Sequence, residues 1–368
     1  MKTFTYTEKT EQFPIPEYYK YFYPESRLLF FDIETTGFAA RNTTLYLIGA
    51  LWYEKDSIRI IQWFNDDGYC EKEMLSAFDV FCRDFTHLVH FNGLGFDLPY
   101  LRQKADLLDI PFSVDKRLIQ IDIFKEIRSY KKIFFLDSMK QICIEEYLGI
   151  QREDTYTGKE LINIYQRYVA HPDCEKQKVL LLHNHDDLLG LPQISRILNY
   201  KVFFEQIDVT SLEAMTDDKQ LKFSFTYAAC ACLPKRLTLS VSGIYLNALE
   251  QRAVLCIPIV RDTLMHYFED YKNYYYLPQE DMAIHKSVAA YVAAENKEKA
   301  TKSTCYIKKT DAFIPCFSAN EYDVFKYSVT DKYNYQVLDS LLFADQPKQI
   351  SYIKNALTAF KSYSKYLL

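Results

Sequence analysis

Two carboxylates, one residue apart, end an apolar stretch near the start of the chain, LLFFDIETTG over residues 28–37. Read as a β-strand, this stretch directs Asp32 and Glu34 to one face and Ile33 to the other. The turn-forming residues that follow place both acids where a buried strand leaves the core. Two carboxylates on one face attract a cation, so the spacing favours a metal site, although Asp-x-Glu is also common on solvated surfaces.

Other polar residues further along the chain have similar chemical character. Asp97 ends the stretch HFNGLGFD at the start of a predicted helix, where it could equally serve as the N-cap. Asp122 lies inside an apolar, strand-like run, and a buried acid needs a partner or a metal. His183 and Asp187 lie four residues apart on a predicted helix and share a face. Taken singly, that last pair has an ordinary explanation as a solvated polar turn.

Hydrophobic periodicity predicts the elements that would position these residues. Strands are predicted over residues 28–34, 44–53 and 57–64, then a helix over 71–82 and a short strand over 86–91. This gives a β-β-β-α-β opening. Helical patterns follow over residues 97–108, 138–148, 158–168 and from about 173 to 198.

The motif order Asp-x-Glu, Asn-x4-Asp and His-x3-Asp resembles that of the DnaQ-like (DEDD) 3′–5′ exonucleases of the ribonuclease H-like fold. DIETTG matches the first motif of that family almost letter for letter, and the resemblance covers about residues 27–200. More narrowly, HFNGLGFDLPYL, the Asp122 strand and HNHDDLLGL look like the bacterial YprB-like branch. The resemblance implies an α/β fold with a ribonuclease H-like mixed sheet flanked by helices, in agreement with the predicted opening.

The resemblance also implies a site and an activity. Asp32, Glu34, Asp97 and Asp187 would bind two divalent ions, Mg²⁺ or Mn²⁺, and His183 would lie near the attacking water. An all-oxygen carboxylate set without cysteine suits such hard cations. The implied function is a metal-dependent 3′–5′ exonuclease that hydrolyses phosphodiester bonds of DNA or RNA, at single-stranded or frayed ends. Secondary candidates for the site are Thr35, Asn92 and Asp122.

The last motif departs from the usual family pattern. The superfamily commonly has Tyr four positions before the final Asp or His five positions before it, whereas His183 stands at the tyrosine spacing from Asp187. Alignment on Asp186 instead would place Leu181 or Leu182 at the partner position, and leucine cannot orient water. We therefore pair His183 with Asp187. Whether His183 accepts a proton, orients water or contacts phosphate is left open by the sequence.

Composition limits the class of protein. The chain has 368 residues, of which 49% are hydrophobic and 25% charged, as in globular proteins, and no apolar run approaches a membrane span. The N-terminal residues lack a signal-peptide pattern, and nine irregularly spaced cysteines fit reduced thiols, so a cytoplasmic protein without a membrane segment is expected. A net charge of −5 argues weakly against a broad nucleic-acid-binding surface.

The length favours two domains. We predict a lead-in segment over residues 1–26, an exonuclease domain over 27–205, a linker over 206–220 and an α+β domain of unknown function over 221–368. In the last, we expect a strand over 237–246, helices over 261–268 and 278–299, and a hairpin over 304–317. Its many aromatic residues are expected mainly in the core, with stacking on nucleic acid as the alternative. Two rival functions are a catalytically silent nucleic-acid-binding protein and a protein-interaction module.

Overall fold

The computed structural model describes residues 1–318, 323–339 and 345–363, with side chains up to residue 361. The chain divides into two compact units. The first comprises residues 1–202 with 229–235, and the second comprises residues 203–228 together with those from 236 onward. Residues 319–322, 340–344 and 364–368, which belong to the predicted α+β domain, lie outside the described residues.

A six-stranded mixed sheet forms the centre of the first unit. Its strands are β1 (Lys2–Lys9), β2 (Leu28–Thr35), β3 (Leu45–Glu54), β4 (Ser57–Phe64), β5 (His87–His90) and β6 (Ile119–Asp122). Their spatial order is β1-β4-β3-β2-β5-β6. The first four strands in this order pair antiparallel, whereas β2, β5 and β6 pair parallel. The central strand is β2, and its apolar half is buried on both faces, as its continuous hydrophobic run predicts.

Helices connect and flank these strands. They are α1 (Glu17–Phe22), α2 (Glu71–Phe81), α3 (Asp97–Leu107), α4 (Val114–Arg117), α5 (Ile123–Ile127), α6 (Gln141–Leu148), α7 (Gly158–Ala170), α8 (Cys174–Ile194) and α9 (Leu198–Glu205). From β2 onward, the elements follow the predicted β-β-β-α-β order, with α2 as the helix. The long helix α8 packs against β2 and β3. Its residues therefore reach the strand that carries the first acidic motif.

The prediction of a lead-in segment is wrong for Lys2–Lys9. These residues form β1, the edge strand of the sheet, and pair antiparallel with β4 over their whole length. The sequence KTFTYTEK alternates in burial, with every second side chain partly covered. Phe4 packs against a cluster that includes Tyr46 and Leu47. The alternation is that of a half-buried strand, which outweighs the polar composition.

Three further sheets build the second unit. The strands are β7 (Val209–Thr216), β8 (Gln220–Tyr227), β9 (Leu233–Val241), β10 (Ile244–Glu250), β11 (Arg252–Pro258), β12 (Val260–Tyr267), β13 (Tyr274–Leu277), β14 (Met282–His285), β15 (Glu298–Lys299), β16 (Tyr306–Pro315) and β17 (Tyr335–Val337). The sheet orders are β7-β8-β11-β10-β9, β12-β16-β17 and β14-β13-β15. Among the described residues of this unit, the α-helices that accompany them are α10 (Lys286–Ala289) and α11 (Gln346–Tyr363).

Several local predictions for this unit are wrong. The predicted linker contains β7, and the strand predicted over residues 237–246 is the turn between β9 and β10 with parts of both. The helix predicted over 261–268 is strand β12, which pairs in register with β16, so the hairpin predicted over 304–317 is a single strand. The helix predicted over residues 278–299 is wrong for most of its length, because these residues form β14, the short helix α10 and β15. Short apolar runs fit both the helical and the strand period, and cross-strand pairing decides which structure forms.

Aromatic side chains of β8 belong to the core of the second unit. Phe223, Phe225 and Tyr227 alternate along the strand and are 0%, 3% and 1% exposed. For these three residues the expectation of a core role is confirmed, and their rings are not available to nucleic acid. Within the described parts of the chain, no helix combines the length and the apolar character that crossing a bilayer requires.

Candidate metal centre and catalytic site

The first acidic motif lies on β2, between β3 and β5. Strand alternation places Asp32 and Glu34 on one face, as predicted. Asp32 lies opposite Gly49 of β3. A Cβ atom at Gly49 would lie 2.0 Å from Oδ1 of Asn184, so only glycine lets α8 approach the sheet here. This close approach brings the polar face of α8 to the two acids.

Helix α8 contributes three side chains to the site. Asn184 donates from Nδ2 to Oδ2 of Asp32 at 2.9 Å. Nε2 of His183 lies 3.5 Å from Oε1 of Glu34 and 3.4 Å from Oδ2 of Asp187. Ligand atoms of Glu34, His183 and Asp187 all lie within 4.8 Å of one another, so these three residues could hold a metal ion.

The fourth acid, Asp97, is the first residue of α3 and is 7% exposed. The N-cap of that helix is Phe96, without a side-chain hydrogen bond, so the alternative of Asp97 as an N-cap is wrong. Burial raises the pKa of the Asp97 carboxyl group, and a backbone hydrogen bond from Ile33 of β2 opposes this rise without outweighing it. Asp97 therefore lies against the strand that carries Asp32 and Glu34.

Burial and mutual repulsion dominate the electrostatics of the four acids. Burial raises the pKa of Asp32 well above its usual value, and the charges of Asp187, Glu34 and Asp97 raise it further. Burial also raises the pKa of Glu34 to about 7, with the nearby His183 opposing the shift, and raises that of Asp97 to about 7. Without a cation, the raised pKa values of Asp32, Glu34 and Asp97 thus favour the protonated forms of these three acids.

Sequence reasoning missed the partner of His183. Nδ1 of His183 lies 2.6 Å from Oδ2 of Asp154, which is 8% exposed. Burial acts to lower the pKa of His183, but the carboxylates of Glu34, Asp187 and Asp154 outweigh this effect and raise it. Because Asp154 holds Nδ1, the ring presents Nε2 to the acids of the site.

Arg152 is a second residue that the sequence did not reveal. Its side chain is 11% exposed and donates from Nη1 to Oδ1 of Asp187 at 2.7 Å and to Oε2 of Glu145 at 2.9 Å. Gln141 also donates to Oδ1 of Asp187, at 3.3 Å. Glu145 is 1% exposed. The guanidinium group therefore links the buried carboxylate of Glu145 to the partly buried carboxylate of Asp187, and one oxygen of Asp187 is held in place.

A common pattern emerges from these contacts. Three of the four carboxylates have one oxygen held by a side-chain donor from another part of the chain, which orients the group before any cation binds. The third donor, besides Asn184 on Asp32 and Arg152 on Asp187, is the hydroxyl of Tyr46, which donates to Oε2 of Glu34 at 3.2 Å. Gln62 in turn donates to Oδ1 of Asn184 at 2.8 Å.

The donor set fits a hard divalent cation. Carboxylate oxygens and one imidazole nitrogen meet without any thiolate, which suits Mg²⁺ or Mn²⁺ better than a structural zinc ion. The donors that hold the carboxylates correspond to the outer hydrogen bonds that orient ligands in metalloproteins. Glu34, His183 and Asp187 could hold such an ion, and the full set of Asp32, Glu34, Asp97 and Asp187 stays a prediction.

Asp122, a secondary candidate, does not join this group. Its carboxylate accepts hydrogen bonds from three backbone N–H groups, those of Asn92 (3.0 Å), Leu94 (3.1 Å) and Lys125 (3.1 Å). Asp122 is thus the N-cap of α5 and fixes the loop after β5. The strand-like run predicted around Asp122 ends at this residue, because the cap begins the helix.

The other secondary candidates have local contacts. The hydroxyl of Thr35 donates to the carbonyl oxygen of Gly37 at 2.8 Å, which is a turn contact. Asn92 has a left-handed backbone with φ of 62° and lines the cleft beside the acids. Asp186 accepts from the backbone N–H groups of Glu153 and Asp154, both at 2.8 Å. It thus anchors the stretch that carries Arg152 and Asp154, while Asp187 faces the site.

An open cleft of about 980 Å³ gives access to the four acids and His183. Its other walls carry the aromatic residues Phe38, Phe91, Phe96 and Phe124 and part of the segment 128–141. Phe38 is 91% exposed, and its ring meets that of Phe96 edge to face at a centroid distance of 5.7 Å. The cleft is larger than a metal ion requires, and its volume is sufficient for the end of a polymer chain.

One of the missed residues left a signal in the sequence. Asn184 stands at the helical spacing of Leu180, Leu188 and Leu191, which are all buried, so a polar residue on that apolar face required a partner. Arg152 and Asp154 left none, because they belong to an irregular stretch between α6 and α7. No periodicity predicts where such a stretch lies.

A pH prediction follows from the raised pKa values. The pKa of Glu34 is about 7 in the folded protein and 4.5 as the ordinary value. The folded state then binds more protons between these values, so in metal-free buffer the free energy of unfolding falls as pH rises from about 4.5 to 7. We expect Glu34→Gln to remove part of this fall, on the order of a few kcal/mol, in urea unfolding at pH 5 and pH 8. Glu146→Gln on exposed α6 surface is the control, and equal pH dependence in all three proteins would refute the prediction.

The fold and the acid cluster agree with the comparison against protein families. The family model described as RNase_H superfamily matches residues 29–199. This part of the chain has the RNase H-like fold, a nuclease fold whose members generally use divalent metals and which suggests nucleic-acid binding. The predicted fold class is confirmed: an α/β mixed sheet flanked by helices, followed by further sheets in a C-terminal region.

Similar proteins include one bacterial relative and one solved structure. The uncharacterized protein YprB of Bacillus subtilis (strain 168) is 26% identical over 187 residues, which cover 50% of this chain and 44% of YprB. The expected resemblance to the YprB-like branch is thus confirmed for half of the chain. The family B DNA polymerase from the archaeon Pyrobaculum calidifontis aligns with a TM-score of 0.41 and 12% identity over 94% of this chain and 47% of its own. This chain spans less than half the length of each.

Proposed function

We propose that the protein is a divalent-metal-dependent nuclease and, more specifically, a 3′–5′ exonuclease that hydrolyses phosphodiester bonds with Mg²⁺ or Mn²⁺ in a two-metal site. The observation that carries this proposal is the convergence of acids from β2, α3 and α8 on one open cleft. Asp32 and Asp97 are 65 residues apart in sequence, and α8 follows much later. Such a concentration of buried negative charge destabilises a fold unless a cation is bound.

Divalent ions bound in such a site supply a water that is nucleophilic at neutral pH and stabilise charge on the attacked and leaving oxygens. The chain's own residues prepare the site for this chemistry. Asn184, Tyr46 and Arg152 orient three of the carboxylates before binding, so little reorganisation is needed. Phosphate at the cleft would be repelled by the acids alone, so substrate binding depends on the cations.

His183 is the proposed proton acceptor. Asp154 holds Nδ1 as the N–H side of the neutral ring, which leaves the lone pair of Nε2 facing the acids. Nε2 lies 3.4 Å from Asp187 and 3.5 Å from Glu34, within reach of a water in their coordination sphere. Once a cation neutralises Glu34 and Asp187, His183 would lose two of the three carboxylate charges that raise its pKa, and only Asp154 would remain, which favours the neutral ring.

The substrate is proposed to be the end of a DNA or RNA strand, single-stranded or frayed from a duplex. The open cleft admits a chain terminus, and its aromatic walls offer faces on which unpaired bases can stack. Base-on-aromatic stacking typically contributes about 1–3 kcal/mol per base. This supports a strand with unpaired bases over a closed duplex.

The test is hydrolysis of end-labelled strands by the purified protein. We expect Mn²⁺ or Mg²⁺ to give stepwise shortening of 5′-labelled single-stranded DNA or RNA, and EDTA to stop it. A 3′-terminal label should be released first as a mononucleotide. Cleavage of a circular single strand would instead indicate endonuclease action. No hydrolysis of any strand, together with no calorimetric Mn²⁺ binding, would overturn the proposed nuclease.

A further inference from the structure

The cleft has a basic side as well as an acidic one. Arg128, Lys131 and Lys140 line the same cleft as the four acids, and all three are exposed. They lie in the segment 123–141, which joins β6 to α6 and was not singled out by any motif. The segment also contributes one exposed acid, Asp137, to the cleft. Its side of the cleft nevertheless carries an excess of positive charge.

These cations have no partner of their own within the described parts of the chain. No ion pair or side-chain hydrogen bond engages the charged groups of Arg128, Lys131 or Lys140 there, although other cations nearby are paired, such as Lys201 with Glu126. Exposed lysines and arginines gain little from surface ion pairs, so their lack of partners costs no stability. It does leave three positive charges available to a ligand in the cleft.

The segment that carries the cations is well packed. Ile127, Tyr130, Ile133 and Phe134 are 0%, 0%, 1% and 3% exposed and alternate with the exposed basic residues. Arg128 and Lys131 are three residues apart in a helical turn, so their side chains leave on the same side. The fold therefore holds the basic groups in a fixed place beside the acid cluster.

The two signs of charge in one cleft define the ligand. A ligand with a single phosphate would bind only the cations held by the acids, and the three basic residues would then contact no phosphate. A strand with several phosphates places one at the metal site and further ones along the basic side. The aromatic pair Phe91 and Phe124, whose centroids are 5.7 Å apart, lies in the same cleft and offers apolar surface to bases.

We propose that Arg128, Lys131 and Lys140 bind the backbone phosphates of a polynucleotide strand whose terminal phosphodiester lies at the acid cluster. This inference rests on the proposed nuclease function and narrows its substrate to a strand of several nucleotides, as opposed to a mononucleotide ester. DNA and RNA share the phosphate chemistry, so binding of both is compared in the test.

The experiment measures binding separately from hydrolysis. Fluorescein-labelled dT15 and rU15 are titrated, by fluorescence anisotropy with Mn²⁺ present, with Asp32→Asn protein that cannot hydrolyse them. The triple variant Arg128→Gln, Lys131→Gln and Lys140→Gln is made in the same background. We expect it to bind on the order of tenfold more weakly at 0.1 M KCl and to reduce the slope of log K against log salt by about 2, because single strands release about 0.7 counterion per phosphate contact.

The matched control removes three exposed lysines that lie in the same unit but do not line the cleft, Lys72, Lys116 and Lys159. Changing them to Gln alters net charge equally and should leave affinity and salt slope as in the Asp32→Asn background. An equal loss in both triple variants, or no loss in the first, would overturn the proposed role of the basic side. Hydrolysis by the wild-type protein is measured independently. Absence of hydrolysis and of Mn²⁺ binding overturns the proposed nuclease function. A loss of strand affinity confined to the cleft variant still supports the basic strand-binding surface.

Discussion

We expect Asp32→Asn to abolish metal-dependent hydrolysis while the metal-free protein remains folded and at least as stable as wild type. Asp32 lies partly buried among three other acids. Its carboxylate accepts a hydrogen bond from the amide of Asn184, and no ion pair engages it among the described residues. Asparagine keeps an oxygen that accepts from Asn184 and removes a group that repels its neighbours. Loss of a metal ligand should lower the hydrolysis rate by at least about 10²–10³-fold, comparable to loss of a group that stabilises developing charge.

Asp187→Asn provides the comparison within the same cluster. It should abolish hydrolysis equally, but its effect on stability differs, because Arg152 would lose one of its two short carboxylate contacts and retain Glu145. Loss of one carboxylate partner from the partly buried guanidinium of Arg152 lowers the free energy of unfolding. We therefore expect Asp187→Asn to unfold at a lower temperature than Asp32→Asn in EDTA. Calorimetric scans of both variants, with and without Mn²⁺, test this, and a strongly destabilised Asp32→Asn would show that Asp32 is structural instead.

The order of elements in the first unit could be predicted because its signals are local. The buried run of β2, the alternation of β3 and β4 and the helical spacing of α2 each decide their own structure. In the second unit the runs are short and aromatic, and pairing with distant strands decides the outcome. Residues 261–268 have a helix-compatible spacing, but residues 261–267 pair with β16, whose partner residues lie 39 to 51 positions further along the chain. Such pairing is not encoded in any local window.

The residues of the site also fall into two groups, those that the sequence predicted and those that it did not. Asp32, Glu34, Asp97, His183 and Asp187 belong to regular elements, so their motifs gave their positions relative to the sheet. Arg152 and Asp154 belong to an irregular stretch that is fixed from outside, by the carboxylate of Asp186 on two backbone N–H groups. The candidate metal-binding acids could thus be predicted from motifs on strand β2, at the start of α3 and within α8. The residues that orient them depend on tertiary contacts.

The position of His183 permits two roles, proton acceptor and metal ligand, and a substitution can distinguish them. Nε2 is close enough to Glu34 and Asp187 for either role. We predict that His183→Ala lowers kcat by about 10²–10⁴-fold, the usual range for a general base, while Mn²⁺ affinity in calorimetry changes by less than about tenfold. Recovery of activity at high Mn²⁺ would identify His183 as a ligand instead.

Substitution of His183 by tyrosine tests the position on the helix. A phenol at the i, i+4 spacing from Asp187 restores the Y-x3-D pattern and can orient a water without being deprotonated, so His183→Tyr should retain clearly more activity than His183→Ala. Asp154→Asn is the matched control, since its amide keeps the size of the side chain but can turn its NH₂ group to Nδ1 and favour the wrong tautomer. We expect it to reduce kcat with little change in KM or Mn²⁺ affinity. If His183→Ala were as active as wild type, His183 would be a bystander, and the proton would have to leave through water or another residue.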